Sequence, residues 1–394
     1  MSGIVYLAYR YLLYYRYKTM ILLSAITLVI YLPAALQLML NQAAEQLMRR
    51  AQSTPLLVGA KGSPLELVLN SLYFQSAPPA TLPFKVVKDI RSTGLANAIP
   101  LHVRFHAKGF PVVGTSLDYF DLRGLKLAQG RAMALLGEAV VGAEVAAKLG
   151  LSVGDYLVTS PEVVFDLSGV YPLKMPVVGI LSSQFSSDDG AIFVDVKTSW
   201  IIQGLLHGHQ DINFADSSSI VLKTSGANTV VNASVVEYNE VTASNIGSFH
   251  LHGESEKFPL TAAIAVAKDQ KTSTLLQGRF KTGEFKYQIL RPTSIMQELL
   301  NTVFTIKYYA IIAMSFIGMS TFLVVLLVFA LSVRLRRDEI STMAHLGGQR
   351  SSIFALLSIE VALILLLSLL SASLLLLLTK HLGATLLQSI VVVK

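Results

Sequence analysis

The residues best suited to chemistry lie in two short histidine-bearing stretches. His207-Gly-His209-Gln-Asp211 and His250-Leu-His252-Gly-Glu254 each set two imidazoles beside a carboxylate. Imidazole nitrogen and carboxylate oxygen at close spacing bind Zn or Cu. On a strand, positions i and i+2 share a face, so both pairs would converge if their strands met. No third strong ligand is fixed by the sequence, and two polar surface loops with incidental histidines account for the same residues. The six are therefore weak metal candidates. His102 and His106, in an expected strand-turn, carry less weight. Gly59-Ala-Lys-Gly-Ser63 places Lys61 and Ser63 among glycines but lacks the GxxxxGK[ST] spacing that cradles phosphates, so no nucleotide site is expected in this chain. GxSxG is missing and no Ser/His/Asp set can be placed by order, so no catalytic role is expected either. Trp200 is expected to pack rather than bind, and the acids of the same region are expected to be solvated.

The elements that would carry these residues follow from composition. Of 394 residues 53% are hydrophobic and 14% charged, where a soluble domain carries about a quarter charged. Part of the chain is therefore expected to face lipid. There is no cysteine, which excludes disulfides and thiolate metal sites. The net charge of +7 comes without the Lys/Arg runs of a nucleic-acid tail, so no nucleic-acid partner is expected. Residues 19–44 contain no charge and are long enough to cross a hydrocarbon core of ~30 Å as a helix, with Pro33 tolerated inside it. Uncharged runs recur at 308–333 and 361–379; the second and third spans are read as 307–333 and 352–379, since the leucine-rich helix is expected to begin near Ser352. Glu360 would then face a helix neighbour or the headgroup zone. The spans otherwise offer no paired polar residues, which argues against a polar substrate path through them. Residues 1–18, with six tyrosines, Arg10, Arg16 and Lys18, read as an amphipathic helix lying in the interface.

Charge placement orients the chain. The short stretch 334–351 holds Arg334, Arg336, Arg337 and Arg350 against Asp338 and Glu339, and the N-terminal flank is wholly positive. By the positive-inside rule both are cytoplasmic. Residues 45–306 then form a large domain outside, and residues 380–394 are an outer tail or an incomplete fourth span. The outer domain reads as α+β, with strand runs at 111–114, 175–181, 191–195 and 219–222 broken by Gly, Pro and Ser. Helices are expected at 83–92, 144–149 and 198–206. Residues 42–51 extend the first span as a stalk, and 294–303 lead into the second. Within 334–351 a short helix from about Asp338 to Leu346 opens on two acids and sets Ile340, Met343, Ala344 and Leu346 on an apolar face, with Gly347-Gly348 ending it.

Several segments resemble the MacB/FtsX family of ABC transporter permeases, also called type VII. VGTSLDYFDLRGLKLAQGR at 113–131, EAVVGAEVAAKLGLSVGD at 138–155 and VVGIL at 177–181 look like that family's periplasmic core. RLRRDEISTMAHLGGQRSSIF at 334–354 looks like its coupling segment, and LVGAKGSPLELVL at 57–69 resembles a subgroup of these permeases. Order and spacing make the match specific: amphipathic helix, span, outer domain, span, Arg-rich loop, span. One departure stands out, since family members usually carry a fourth span where this chain has only HLGATLLQSIVVVK after the third run.

The resemblance implies a membrane protein with an α-helical transmembrane bundle of three, possibly four, spans and an inserted α+β periplasmic MacB-like domain. It implies a non-catalytic, multi-pass subunit of the bacterial cytoplasmic (inner) membrane, its N-terminus cytoplasmic. ATP and Mg would be bound by a separate ABC ATPase subunit, and the chain would pair with a second copy of itself as a homodimer. Arg337, Asp338, Glu339, Ile340, Met343, Leu346 and Gly347 would couple the ATPase to movement of the periplasmic domains, with membrane lipid, a periplasmic adaptor, a lipoprotein or a binding protein as further partners. Efflux, lipoprotein extraction and control of a cell-wall enzyme all fit the family. The other-class reading from the residues is a membrane-anchored sensor or scaffold whose outer domain binds a ligand or metal without ATP.

Overall fold

The computed structural model of the chain describes residues 2–160, 172–208, 221–225, 228–231, 239–251, 253–283, 285–345 and 350–392. In chain order its helices are α1 (Ser2–Tyr14), α2 (Arg16–Gln52), α3 (Pro64–Tyr73), α4 (Lys85–Ser92), α5 (Leu117–Arg123), α6 (Ala143–Leu149), α7 (Val196–Ile202), α8 (Gln270–Lys281), α9 (Pro292–Leu335), α10 (Arg337–His345) and α11 (Arg350–Val392). Three of them, α2, α9 and α11, are long and apolar enough to cross a membrane. The chain divides into two compact units: Met1–Leu47 with Glu298–Lys394, and Met48–Gln297.

The first unit is all helix. Pro33 lies inside α2 without ending it. The expected interfacial helix stops at Tyr14, and Arg16-Tyr17-Lys18 instead open α2. Helix α11 runs unbroken to Val392, so the residues after Lys380 extend the third apolar run as helix. Polar side chains stitch α2 to α11. Thr27 Oγ1 donates to the Ser368 carbonyl at 3.4 Å, Ser368 Oγ to the Leu23 carbonyl at 3.3 Å, and the Tyr31 and Thr379 hydroxyls meet at 2.8 Å. In lipid such hydrogen bonds hold helices together, because hydrocarbon offers a hydroxyl no other partner. The expectation that the spans lack paired polar residues is thereby corrected.

The second unit is α+β around one mixed sheet. From edge to edge its strands are Gln288–Leu290, Leu56–Gly59, Ala262–Ala267, Ala96–Ala107, Phe110–Thr115, Ile192–Asp195, Ala139–Val141, Lys174–Leu181 and Leu127–Gly130, with Tyr156–Val158 also on Lys174–Leu181. Pairings along this path are antiparallel except Phe110–Thr115 with Ile192–Asp195 and Ala139–Val141 with Lys174–Leu181. Apolar β-branched residues at Val112, Val141, Val177, Ile192 and Val194 make the central strands, all buried. Local signals fix the helices: Pro64 follows the N-cap Ser63, whose hydroxyl accepts from Glu66 N, and Asp269 with Thr272 forms a capping box on α8. Trp200 on α7 is 1% exposed and packs edge-to-face between Phe84 and Phe258, at 5.3 and 5.1 Å between ring centroids. Its indole donates to the Pro259 carbonyl at 2.9 Å, as expected of a packing tryptophan.

Candidate functional site

The residues singled out for coupling sit on α10. Arg337 and Asp338 open the helix and are exposed; Ile340 is half-buried; Glu339 and Met343 lie within its span; Leu346 and Gly347 fall outside the described residues. The helix therefore starts one residue earlier than expected, after a joint of a single residue, Arg336, between α9 and α10. Helical hydrogen bonding passes across the joint, from Arg336 N to the Ser332 carbonyl at 3.2 Å and from Ile340 N to the Arg336 carbonyl at 2.9 Å.

The joint residue is pinned. Arg336 is 7% exposed and Glu360, on α11, 3%. Arg336 Nη1 donates to both carboxylate oxygens, at 3.0 and 3.2 Å, and its guanidinium lies 3.7 Å from the centroid of the Tyr11 ring on α1. Lys18, near the start of α2, donates to Ser332 Oγ, and the Tyr11 hydroxyl reaches the same oxygen at 3.4 Å. One polar cluster thus ties α1, α2, the end of α9 and α11 beside the root of α10. Glue of this kind is stiff, because removing one partner leaves an uncompensated charge in an apolar surround. A lone acid in an apolar helix demanded a neighbour for Glu360; that Arg336 supplies it was not legible, since the positive-inside rule accounts for all four arginines alike.

A second buried charge cluster closes the second unit where the chain enters it. Arg50, in the last turn of α2, is 9% exposed and Asp188 1%. Arg50 Nη1 and Nη2 donate to the two Asp188 oxygens at 2.6 and 2.8 Å. Nη2 also donates to the Tyr119 hydroxyl at 2.9 Å, which donates to Asp188 Oδ1 at 2.8 Å, and Nε donates to the Leu72 carbonyl. Arg123 fastens the next residues, donating to Ser53 Oγ at 2.6 Å and Thr54 Oγ1 at 2.8 Å. Burial would push the Asp188 carboxyl up, but the Arg50 charge and hydrogen bonds hold it below the usual carboxylate range. Burial pushes the Tyr119 hydroxyl up to about 12, so it stays protonated and donating. The expectation of solvated acids fails here, and likewise for Asp189 and Glu138, both buried. Asp189 accepts from Ser183 Oγ, Gln184 N and Phe185 N at 2.7–3.2 Å. Glu138 is gripped by Arg131 and by the amides of Ala134 and Leu135, at 2.8 and 3.0 Å. The Arg131 hydrogen bonds lead in holding its carboxyl at about 2. One signal for Arg50 was available: it follows Leu47 by three and adjoins buried Ala51, at the border of the stalk's apolar stripe.

The histidine stretches fall on a two-stranded ribbon, Leu206–Gly208 with Phe249–Leu251, whose register sets His207 opposite His250. His209, Asp211 and His252 lie outside the described residues. His250 Nδ1 is 3.0 Å from the Ser248 carbonyl, and exposed Glu254 pairs with Lys257 at 3.2 Å. Among the described residues no three metal-ligating side chains gather. His102 is wholly buried mid-strand rather than in a turn, with Nδ1 2.7 Å from the Pro259 carbonyl; burial pushes its pKa down to about 4, so it is neutral.

No curated protein sequence matches the chain. Among solved structures, the periplasmic region of MacB from Actinobacillus actinomycetemcomitans is similar at 13% identity and a TM-score of 0.34, over 64% of this chain and 94% of that one. The extracellular domain of the noncanonic ABC-type transporter YknZ from Gram-positive bacteria is similar at 11% and 0.31, over 60% and 98%. A domain of a permease protein from Porphyromonas gingivalis aligns at 10% and 0.25, over 54% and 78%. The family model of the MacB-like periplasmic core domain matches residues 21–237, more than half of the chain. With three apolar helices of membrane-crossing length and an inserted mixed-sheet domain, the chain belongs to the MacB/FtsX-like, type VII, ABC transporter permease family.

Proposed function

We propose that this chain is the mechanotransmission subunit of an ABC transporter in a bacterial cytoplasmic membrane, with α10 on the cytoplasmic side and the mixed-sheet unit in the periplasm. A separate ATPase subunit binds ATP and Mg, and two copies of this chain work with two of the ATPase. The observation that carries the reading is the single-residue joint at Arg336. A helix hinged by one buried, ion-paired residue cannot tilt without pulling on Glu360 of α11 and Tyr11 of α1. Force delivered to α10 is thus passed to the spans rather than lost in a slack loop. By sequence alone, Met343 and Leu346 are the apolar positions of the coupling segment at which the ATPase is expected to dock.

The test is purification of the tagged full chain from its native host in mild detergent, with ATP hydrolysis as the readout. An ATP-hydrolysing partner is expected to co-purify, and M343E or L346E to reduce its recovery at least tenfold. A membrane-anchored sensor or scaffold predicts no ATP hydrolysis by the intact complex and no effect of either substitution, and that outcome defeats the coupling reading.

A further inference from the structure

Between α2, α9 and α11 the first unit forms a half-open chamber of about 480 Å³. Its wall is almost wholly apolar, built by Val29, Phe322, Val325, Phe329, Ile364 and neighbours. At one end α2 and α9 pinch together: a Cβ on Gly318 would lie 3.3 Å from Val29 Cγ1, so glycine there permits the close approach. Phe322, Leu326 and Leu365 line the chamber yet remain exposed, so it opens sideways between the helices. These helices are long and apolar enough to cross a membrane, so we take the medium at that opening to be lipid; a second copy seated there is the competing occupant that the experiment below reads.

The other end of the chamber is cationic. Val333 and Val361 line it there, and each adjoins the polar cluster. Lys18 Nζ lies 5.8 Å from the centroid of the lining residue Phe329 and donates to Ser332, next to Val333. Arg336 is bonded to Glu360, next to Val361. Among these groups two cations stand against one carboxylate. Lys18 has around it a hydroxyl and two aromatic rings, and the acid whose charge acts on it is Glu360, which is already bonded to Arg336. An apolar chamber open to lipid and capped by an excess positive charge matches a molecule with an apolar tail and an anionic head.

We propose that this chamber holds one acyl chain of an anionic phospholipid, with the phosphate at Lys18. The leaflet, that of the arginine-bearing side, rests on the orientation proposed above; the site does not. Occupancy by such a lipid fills the space between three spans immediately beside the joint of α10.

The experiment reconstitutes the full chain in vesicles and measures quenching of an F322W reporter by brominated phosphatidylglycerol against brominated phosphatidylcholine. The unsubstituted chain gives the background, since its single tryptophan, Trp200, is buried in the other unit. Phosphatidylglycerol is expected to bind roughly fivefold more tightly, the ratio for one cation near an anionic head group. K18R should keep that preference and K18Q abolish it. An L374W reporter, at an exposed position outside the chamber, should show no preference. Equal affinities at F322W, a preference that survives K18Q, or no quenching by either lipid because a second copy covers the opening would each overturn the proposal. None of these readouts involves ATP, so the coupling reading stands or falls separately.

Discussion

Asp188 is ionised in a nearly dry position only because Arg50 and Tyr119 surround it. Arg50→Met should therefore destabilise the folded chain by about 3–5 kcal/mol, the cost of leaving one buried charge unpaired. Arg50→Met combined with Asp188→Leu should recover most of that loss, because two apolar residues of similar volume avoid desolvating any charge. Thermal unfolding of the full chain in detergent, for the two variants side by side, decides it; equal losses would mean the ion pair is not what holds this site. Protons separate two further residues. His102 has a folded pKa of about 4 against an ordinary 6.5, so the unfolded chain takes up its proton first. Stability from this group is complete above pH 6.5 and drains as pH falls toward 4. Glu138 has a folded pKa of about 2 against an ordinary 4.5, so its contribution drains only between pH 4.5 and 2. Trp200 shares the Pro259 carbonyl with His102, which makes its fluorescence a local reporter. A first loss of native emission should begin below pH 6.5, and His102→Gln should flatten that step while leaving the later one.

Elements are where sequence and structure agree most and where their limits show. The three long helices were legible because lipid demands an uncharged run of fixed length, a one-dimensional property. The central strands were legible at 111–114, 175–181 and 191–195 for a related reason, being apolar runs bounded by Gly, Pro and Ser. Pairing between distant elements left no such mark: Arg50 and Asp188 stand 138 residues apart, and nothing near either names the other. Gly142 shows how such a pair depends on an element that makes none of its hydrogen bonds. A Cβ at Gly142 would lie 2.4 Å from the Asp188 carbonyl oxygen and 2.2 Å from that of Asp189. Backbone, unlike the end of a side chain, cannot step aside, so Gly142→Ala must shift the turn that carries both acids. The expected cost is about 1–3 kcal/mol, with faster proteolysis in the 183–190 segment than in the parent chain. Unchanged proteolysis and unfolding would show that the turn accommodates a methyl group.

At the scale of the whole molecule, one arrangement links a soluble-looking helix to three spans. Helix α10 is anchored through Arg336 to Glu360, and the same cluster holds α1 through Tyr11 and α2 through Lys18 and Ser332. If α10 carries force from an ATPase, Glu360 is the residue through which α11 receives it. Glu360→Gln keeps the shape and one acceptor oxygen but removes the charge. The partner should still bind, because the face of α10 is untouched, and its ATP hydrolysis should persist. What should fail is transmission: a spin label on α10 at S341C and one on α11 at L370C, feasible in a chain with no native cysteine, should move together on ATP binding in the parent complex. In Glu360→Gln the label distance should stop responding to ATP, while Glu360→Asp restores part of the response. The charge exchange R336E with E360R should restore it more fully than either single change, since the attraction does not depend on which helix bears which sign. A purely structural role predicts instead that Glu360→Gln lowers the yield of assembled complex and leaves the ATP response of the surviving fraction intact. Separating recovery of the complex from the distance change per assembled complex therefore distinguishes a strut from a transmission joint.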